Sequence, residues 1–350
     1  MIYINARFLT QNITGVQRFA AEICIKLSEL REDVVFLSPR DIKQTDIAKK
    51  LDVKVIGKHR GQLWEQLDLP KFLLNNGQPL LVNLGNTAPL FYKNKMIALH
   101  DISYLRFPET YSWLFRTYYK ILIPLLLKTC KVLLTVSEFS KQEIANEYYY
   151  PTEKIHVVHN AVSDAFSPGS DGSRTEKYFL AASSHHYHKN FHGLISAFSA
   201  LSESLDVYLF VVGDTSSNYN NSHGLRENGN DRIKFMGRIS DDELIRLYRN
   251  AYCFVFPSFY EGFGIPPLEA QACGCPVIAS NAAAIPEVLG DSAIYVDPLN
   301  NVALTAAMEN IVVNTELRQF LVTAGNENMR RFSWLFSAKK LSQIIDNVNF

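Results

Sequence analysis

Apolar residues fall along this chain in two alternating rhythms. Short aliphatic and β-branched runs, MIYIN, DVVFLS, DVKVI, PLLVNL, KMIALHD, KVLLTVS and KIHVVHN, are separated by stretches with helical spacing, beginning with GVQRFAAEICIKLSEL. Near-continuous apolar runs suit strands covered on both faces, and the helical stretches supply the cover, so the pattern predicts parallel βαβ construction. These runs fill one doubly wound sheet, a first domain of residues 1–165. The polar, glycine-containing SPGSDGSRTEK, Ser167 to Lys177, reads as a linker. Alternation then resumes with strands at YFLAAS, DVYLFVVG, RIKFMG, CFVFPS, PVIAS and AIYVD. Residues 166–337 form a second α/β domain, and the chain closes on helical stretches. Open α/β sheets bind ligands outside strand carboxyl ends, which makes the cleft between the two domains the expected site.

With 350 residues and 47% hydrophobic content, the chain has material for two cores. Lys+Arg and Asp+Glu balance at 35 each, so no global field attracts nucleic acid, and an anionic ligand must be held locally. The five cysteines are odd in number and lack CxxC spacing, which predicts buried free thiols in a reducing compartment. MIYINARFLT reads as a strand rather than a signal peptide, and the apolar run ILIPLLL is too short to span a bilayer, which places the expected protein in the cytoplasm.

The stretch FVFPSFYEGFGIPPLEAQACGCPVIAS carries the most chemistry. A strand ends in the turn Glu261-Gly262-Phe263-Gly264, Ile265 follows, and Pro266 and Pro267 open a helix where a missing N–H is harmless. Glycines let backbone amides approach a ligand, and a helix N-terminus favours an anion. Glu261 and Glu269 then offer two acceptors suited to sugar hydroxyls; the plain alternative is a pair of solvated or structural carboxylates, with the glycines serving only the turn.

Glu261, Gly262, Phe263, Gly264, Pro267, Glu269, Ala270, Gly274 and Pro276 resemble the Glu-x7-Glu block of retaining glycosyltransferases of the GT-B fold, family 4. VVHNAVSDAF, RIKFMGRISDDELIRLYRNA and the late FSW extend the likeness over most of the chain. The resemblance implies an α/β fold of two Rossmann-like doubly wound domains facing a cleft, with a last helix, residues 338–350, returning to the first domain. It also implies Glu261 at the donor sugar, Glu269 on the ribose, and the amides of Gly262 to Gly264 near the donor diphosphate.

In the first domain, LTQNITGVQRFAAEI resembles the family's glycine turn beside the donor phosphates and acceptor at Gly15, the alternative being a glycine that serves only the βα turn, with Arg18 meeting an acidic acceptor or solvent. IALHDISYLRFPETY, with His100 and Asp101 at a strand end, resembles the HD motif of the O-antigen and capsule mannosyltransferase subset, whose histidine approaches the donor sugar. RGQLWEQLDLP resembles the same subset; Trp64, Glu65 and Gln66 either line the acceptor side or open a helix with Trp64 in the core. YSWLFRTYYKILIPLLLKTCK either rests on a membrane surface carrying a lipid-linked acceptor or packs as a helix of the first domain.

ASSHHYHKNFHG holds four of the nine histidines, and His188 and His192 stand at i and i+4, a zinc-binding spacing on a helix. The competing reading is a βα turn between YFLAA and HGLISAFSAL. That turn resembles the family's KN turn, with Lys189 and Asn190 at the donor diphosphate. Here His188 and Ser183-Ser184 stand where many members carry arginine and glycine-arginine. His185 or His188 then substitutes as donor, and Arg238 is a further cation.

The resemblance therefore implies a metal-independent hexosyltransferase without cofactor. Its partners are a nucleotide diphosphate sugar, with GDP-mannose the favoured donor, and a glycan acceptor of O-antigen or capsule, lipid-linked at the cytoplasmic face of the inner membrane. UDP- or dTDP-sugars are alternative donors, and a catalytically silent nucleotide-sugar-binding subunit or an epimerase are alternative functions.

Overall fold

Thirteen short strands appear where the apolar runs place them in the computed structural model, which describes residues 1–169, 176–183, 186–213 and 230–348. By contacts the chain divides into two units, Met1–Ala161 with Phe332–Phe350, and Val162–Arg331.

The first unit holds β1 (Ile2–Asn5), β2 (Val34–Ser38), β3 (Lys54–Val55), β4 (Leu80–Asn83), β5 (Lys95–Ala98), β6 (Val132–Thr135) and β7 (Ile155–Val157). They form one sheet in the order β3-β2-β1-β4-β5-β6-β7, and every pairing is parallel. β4, β5 and β6 are buried at every residue, which is why they read as unbroken apolar runs rather than alternating ones. Even Lys95 at the start of β5 is fully buried, its ammonium donating to the carbonyls of Leu90 and Tyr92 and to Thr129 Oγ1.

The second unit holds β8 (Tyr178–Ala182), β9 (Tyr208–Val212), β10 (Ile233–Gly237), β11 (Cys253–Phe256), β12 (Val277–Ser280) and β13 (Ile294–Val296). Its sheet is also wholly parallel, in the order β10-β9-β8-β11-β12-β13. In each unit the direction of strand addition reverses once: between β1 and β4 in the first, between β8 and β11 in the second. These reversals leave a crevice at the strand carboxyl ends where nothing crosses over.

The closing helix Trp334–Val348 belongs to the first unit. It starts ahead of the expected residue 338 because the Ser333 carbonyl accepts the first helical bond, from Ser337 N. Its buried stripe, Trp334, Ala338, Leu341 and Ile345, packs on helix Gly15–Leu30, and Trp334 meets Phe19 edge-on at 6.1 Å. Arg31 fastens the far end, donating to Ser342 Oγ at 2.9 Å and Asp346 at 2.6 Å. All five cysteines are free; four are buried, but Cys130 is only half-buried, because it sits at the C-cap of helix Trp113–Thr129 beside the Tyr150 hydroxyl.

Candidate active site

The carboxyl ends of β8 and β11 lie side by side, and the sequence places its most reactive residues just beyond both. After β8 the chain reaches a short turn of helix, Tyr187–Lys189, and Asn190 in the left-handed conformation (φ 57°). After β11 it runs through Pro257 and Ser258 to Glu261 and the glycine turn. The Phe259 amide donates to the His188 carbonyl at 2.7 Å, stitching the two turns together.

Their meeting point is an ion pair. Lys189 Nζ donates to both carboxylate oxygens of Glu261, at 2.7 and 2.8 Å, and the two side chains keep only 14% and 11% of their surface in solvent. Phe256, the last residue of β11, lies beneath the ammonium with its ring centroid 5.9 Å away. A lysine so placed is a compact positive charge at a crevice, matched by a carboxylate that a ligand can displace.

Asn190 holds this arrangement rather than facing a ligand. Its amide donates to the carbonyls of Pro257 and Pro298, and its Oδ1 accepts from Gly193 N, capping helix Phe191–Ser199. A Cβ on Gly193 would come within 2.5 Å of that oxygen, which explains the glycine three residues on. Asn190, expected at the donor, bonds within the chain through every polar atom of its side chain.

Gly264 takes φ 103°, a conformation that admits glycine, and opens helix Ile265–Ala272 with Pro266 in the first turn. Gly262 and Phe263 are buried in the same turn, and Ile265 is half-buried. Glu269 lies one turn into the helix and is 7% exposed. The Tyr248 hydroxyl, from helix Asp241–Asn250, donates to Glu269 Oε2 at 3.4 Å. Sequence reasoning missed Tyr248; its signal was a polar aromatic on the buried face of a helix, where a hydroxyl needs a partner.

His188 is 6% exposed and its ring stacks nearly parallel on that of the exposed His186, centroids 5.7 Å apart. His185 lies outside the described residues, and His192 is exposed on helix Phe191–Ser199. Among the described residues no three His, Cys, Asp or Glu side chains stand together as metal ligands. Arg238 is exposed beyond β10, two strands and therefore about 10 Å along the sheet from β8.

In the first unit, the crevice between β1 and β4 is lined by a buried polar cluster. Glu65, 1% exposed, accepts from Asn5 Nδ2 (2.8 Å), Thr87 Oγ1 (2.8 Å) and Arg7 Nη2 (3.1 Å). Asn5 Nδ2 also donates to Asn83 Oδ1 at 3.0 Å, so both reversing strands contribute. Trp64, by contrast, is fully buried with its indole N–H on the Ile56 carbonyl; the acceptor-side reading of Trp64 gives way to the core reading, and the helix distorts to a π turn at Trp64–Asp68 that turns Glu65 inward.

His100, 6% exposed beyond β5, bonds the Leu84 carbonyl through Nε2 at 3.0 Å and meets Phe19 edge-on at 4.9 Å. That bond makes Nε2 the protonated nitrogen and leaves Nδ1 as acceptor. Burial pushes its pKa below the ordinary histidine value, so the ring is neutral near pH 7. Asp101 accepts from Ser103 N and closes a local turn. Gly15 is the exposed first residue of its helix, and Arg18 is half-buried in the first turn.

Comparisons with known proteins converge on one family. Residues 164–328 match the family model for glycosyl transferases group 1, and residues 13–166 match glycosyltransferase family 4. The chain is 33% identical over 267 residues, 74% of each chain, to the O-antigen chain mannosyltransferase RfbU of Salmonella typhimurium. It is 31% identical to O-antigen chain mannosyltransferase B of Escherichia coli, covering 71% of this chain and 70% of that one. Among solved structures, Anabaena Alr3699/HepE in complex with UDP and glucose matches with a TM-score of 0.77 at 18% identity over 99% of both chains, a likeness of GT-B fold.

Proposed function

This chain belongs to the glycosyl transferases group 1 family, and from that premise we propose that it is a retaining hexosyltransferase moving mannose from GDP-mannose to a glycan acceptor of O-antigen or capsule type. The Lys189–Glu261 pair at the β8/β11 reversal carries the reading. A diphosphate leaving group gains charge as the glycosidic bond breaks, and Lys189 neutralises it once the donor has taken the ammonium from Glu261. Glu261, released, accepts from hydroxyls of the donor sugar. Glu269, oriented by Tyr248, accepts from the ribose.

The acceptor hydroxyl attacks the anomeric carbon on the face from which the diphosphate leaves, forming the new C–O bond as the old one breaks, and its proton passes to the departing phosphate oxygen. No divalent metal is needed in this scheme, because Lys189 and the amides of the glycine turn carry the charge. His100, neutral, offers Nδ1 as a hydrogen-bond acceptor within the first unit. The mannose assignment draws on RfbU and mannosyltransferase B, both named as O-antigen chain mannosyltransferases; HepE, solved with UDP and glucose, keeps UDP-sugars in the test.

A thermal-shift screen of nucleotide sugars with EDTA present tests donor and metal together, since a ligand of the native state raises the melting temperature by mass action. GDP-mannose is expected to give the largest rise, followed by α-linked mannoside formation on a glycan panel. A larger shift with a UDP-sugar overturns the donor assignment, and a β-linked product overturns retention.

A further inference from the structure

The chain leaves the first unit at Ala161, and residues 162–169, the stretch that enters the second, hold a single buried side chain. It is Phe166, 5% exposed beside the exposed Asp164 and Ala165, in a turn closed by its own amide on the Ser163 carbonyl at 3.0 Å. The ring meets Tyr248 of helix Asp241–Asn250 edge-on, centroids 6.2 Å apart and planes at 61°. The next residue of that helix, Arg249, takes hold of the same segment: Nε donates to the Ser167 carbonyl at 2.8 Å and Nη2 to Ser167 Oγ at 3.3 Å. Gly169 lies against the guanidinium, where a Cβ would come within 2.7 Å of Cζ. Two consecutive helical residues thus clamp two consecutive residues of the joining segment.

The other end of Tyr248 gives this clamp a use beyond packing. The ring is fully buried between Phe166 and Phe254, which is also edge-on, 5.2 Å away. Its hydroxyl donates to Glu269 Oε2. Phe254 is fixed inside the sheet, since β11 pairs with β8 on one side and β12 on the other. The helix is fixed too, because the buried Tyr178 hydroxyl donates to the Leu247 carbonyl at 2.7 Å. Phe166 stands in irregular chain held only by the Ser163 turn and the Arg249 clamp, so it is the wall of the Tyr248 cage that can shift. The 3.4 Å from hydroxyl to carboxylate exceeds the ~2.7–2.8 Å of a well-formed O–H···O bond, and small shifts of the ring therefore decide how firmly Glu269 is held.

We propose that Phe166 and Arg249 are positioning residues for the nucleotide: by seating the segment that joins the units they set the Tyr248 ring, and through its hydroxyl the orientation of Glu269. The inference rests on the assignment of Glu269 to the ribose. Linkage is reciprocal, so a nucleotide that binds the oriented carboxylate also tightens the segment on helix Asp241–Asn250, by the same factor. Nucleotide affinity is thereby tied to the state of the segment between the units.

Calorimetric titration of the full chain with GDP, and with UDP in parallel, tests this in Phe166→Leu, Tyr248→Phe, their double variant, Arg249→Gln and Glu269→Gln, each checked for the parental circular dichroism. Phe166→Leu keeps an apolar plug and should weaken binding roughly two- to fivefold, bounded by the worth of the Tyr248 hydrogen bond. In the Tyr248→Phe background the same substitution should cost nothing further, because no hydroxyl is left to aim; a residue that only fills space would add its loss in full. Arg249→Gln releases Ser167 without opening the core and should weaken binding in the same way. Amide exchange over residues 163–169 gives a second readout: GDP should slow it in the parent and not in Tyr248→Phe. Unchanged affinity in both Phe166→Leu and Arg249→Gln, additive losses in the double variant, or exchange that GDP leaves untouched would each overturn the proposal while Glu269→Gln still binds weakly. A Glu269→Gln variant that binds both nucleotides like the parent would instead remove the ribose assignment, and this inference with it.

Discussion

Removing the ammonium of Lys189 by Lys189→Met should lower stability and activity together, whereas adding Glu261→Gln should restore the first and not the second. The magnitude follows from the burial of the pair. Breaking a buried ion pair by deleting one member costs about 3–5 kcal/mol, chiefly because the other charge is stranded. The 11% and 14% residual exposure lets some water in, which argues for the lower end, about 3 kcal/mol. For a unit the size of Val162–Arg331, each kcal/mol moves the melting temperature by roughly 2–4 °C, so Lys189→Met should lower its transition by roughly 6–12 °C. In the double variant the carboxylate is gone and an amide faces a thioether. Most of that loss should return.

Activity should follow the opposite logic. Loss of one charge aimed at a developing anion reduces kcat by about 10²–10³, and the second substitution supplies no cation, so the double variant should stay at or below the single one. Differential scanning calorimetry of the four proteins, with initial rates of donor consumption, completes the cycle. A single variant that melts like the parent would show that the pair is not coupled as its geometry requires. A double variant that regains turnover would refute the assignment of Lys189 to the leaving group.

Other consequences are simpler. Tyr248→Phe keeps the ring in the core but removes the donor to Glu269, and should weaken GDP binding by roughly fivefold in calorimetric titration, the equivalent of about 1 kcal/mol. Gly264→Ala introduces a Cβ with room around it, its nearest contact being 3.8 Å, but at φ 103°; the backbone strain of about 1–2 kcal/mol should appear in the denaturant midpoint and misplace the turn amides. His100 has a folded-state pKa depressed by burial, so below about 6.5 the unfolded chain binds a proton that the folded one refuses. Stability should therefore be complete above that pH and fall as pH drops through it, and in His100→Gln the fall in melting temperature toward pH 5 should be shallower. Glu65→Gln should cost about 3 kcal/mol by stranding Arg7, against about 1 kcal/mol for Thr87→Ala, measured by urea unfolding.

The strands were legible because parallel strands covered on both sides must be apolar throughout, and a run such as PLLVNL admits no other use in a chain this polar between runs. Glu261, Gly264 and Glu269 were legible for a different reason: a strand, a glycine turn and a proline-opened helix in succession fix the local backbone without help from the rest of the fold. What failed to show was anything that depends on which strands become neighbours. That Lys189 meets Glu261, 72 residues later, follows from β8 lying beside β11, an adjacency no local pattern states. Asn190 was expected at the donor through the resemblance of Lys189-Asn190 to the family's KN turn; only the positions of the Pro257 and Pro298 carbonyls reveal where its side-chain hydrogens go. That Glu65 is buried beside Trp64 was hidden for a similar reason, since it lies in a π turn, Trp64–Asp68, and the sequence carries no period that announces one.

The two units have the same kind of reversal point and treat charge there in opposite ways, which bears on where an anionic donor belongs. In the first unit, Arg7 is held by a carboxylate that is 1% exposed and already accepts from Asn5 and Thr87. Lending Arg7 to a phosphate would leave Glu65 buried without its counter-ion, a loss of several kcal/mol that the new contact must first offset. In the second unit, Lys189 and Glu261 sit nearer the surface, and each has a use for the partner that a nucleotide sugar brings: phosphate oxygens for the ammonium, hydroxyls for the carboxylate. The pair can open without stranding either charge. That asymmetry, rather than the presence of a basic residue, is the physical ground for assigning the donor to the β8/β11 crevice, and it predicts that Arg7→Lys leaves nucleotide affinity unchanged while Lys189→Met does not.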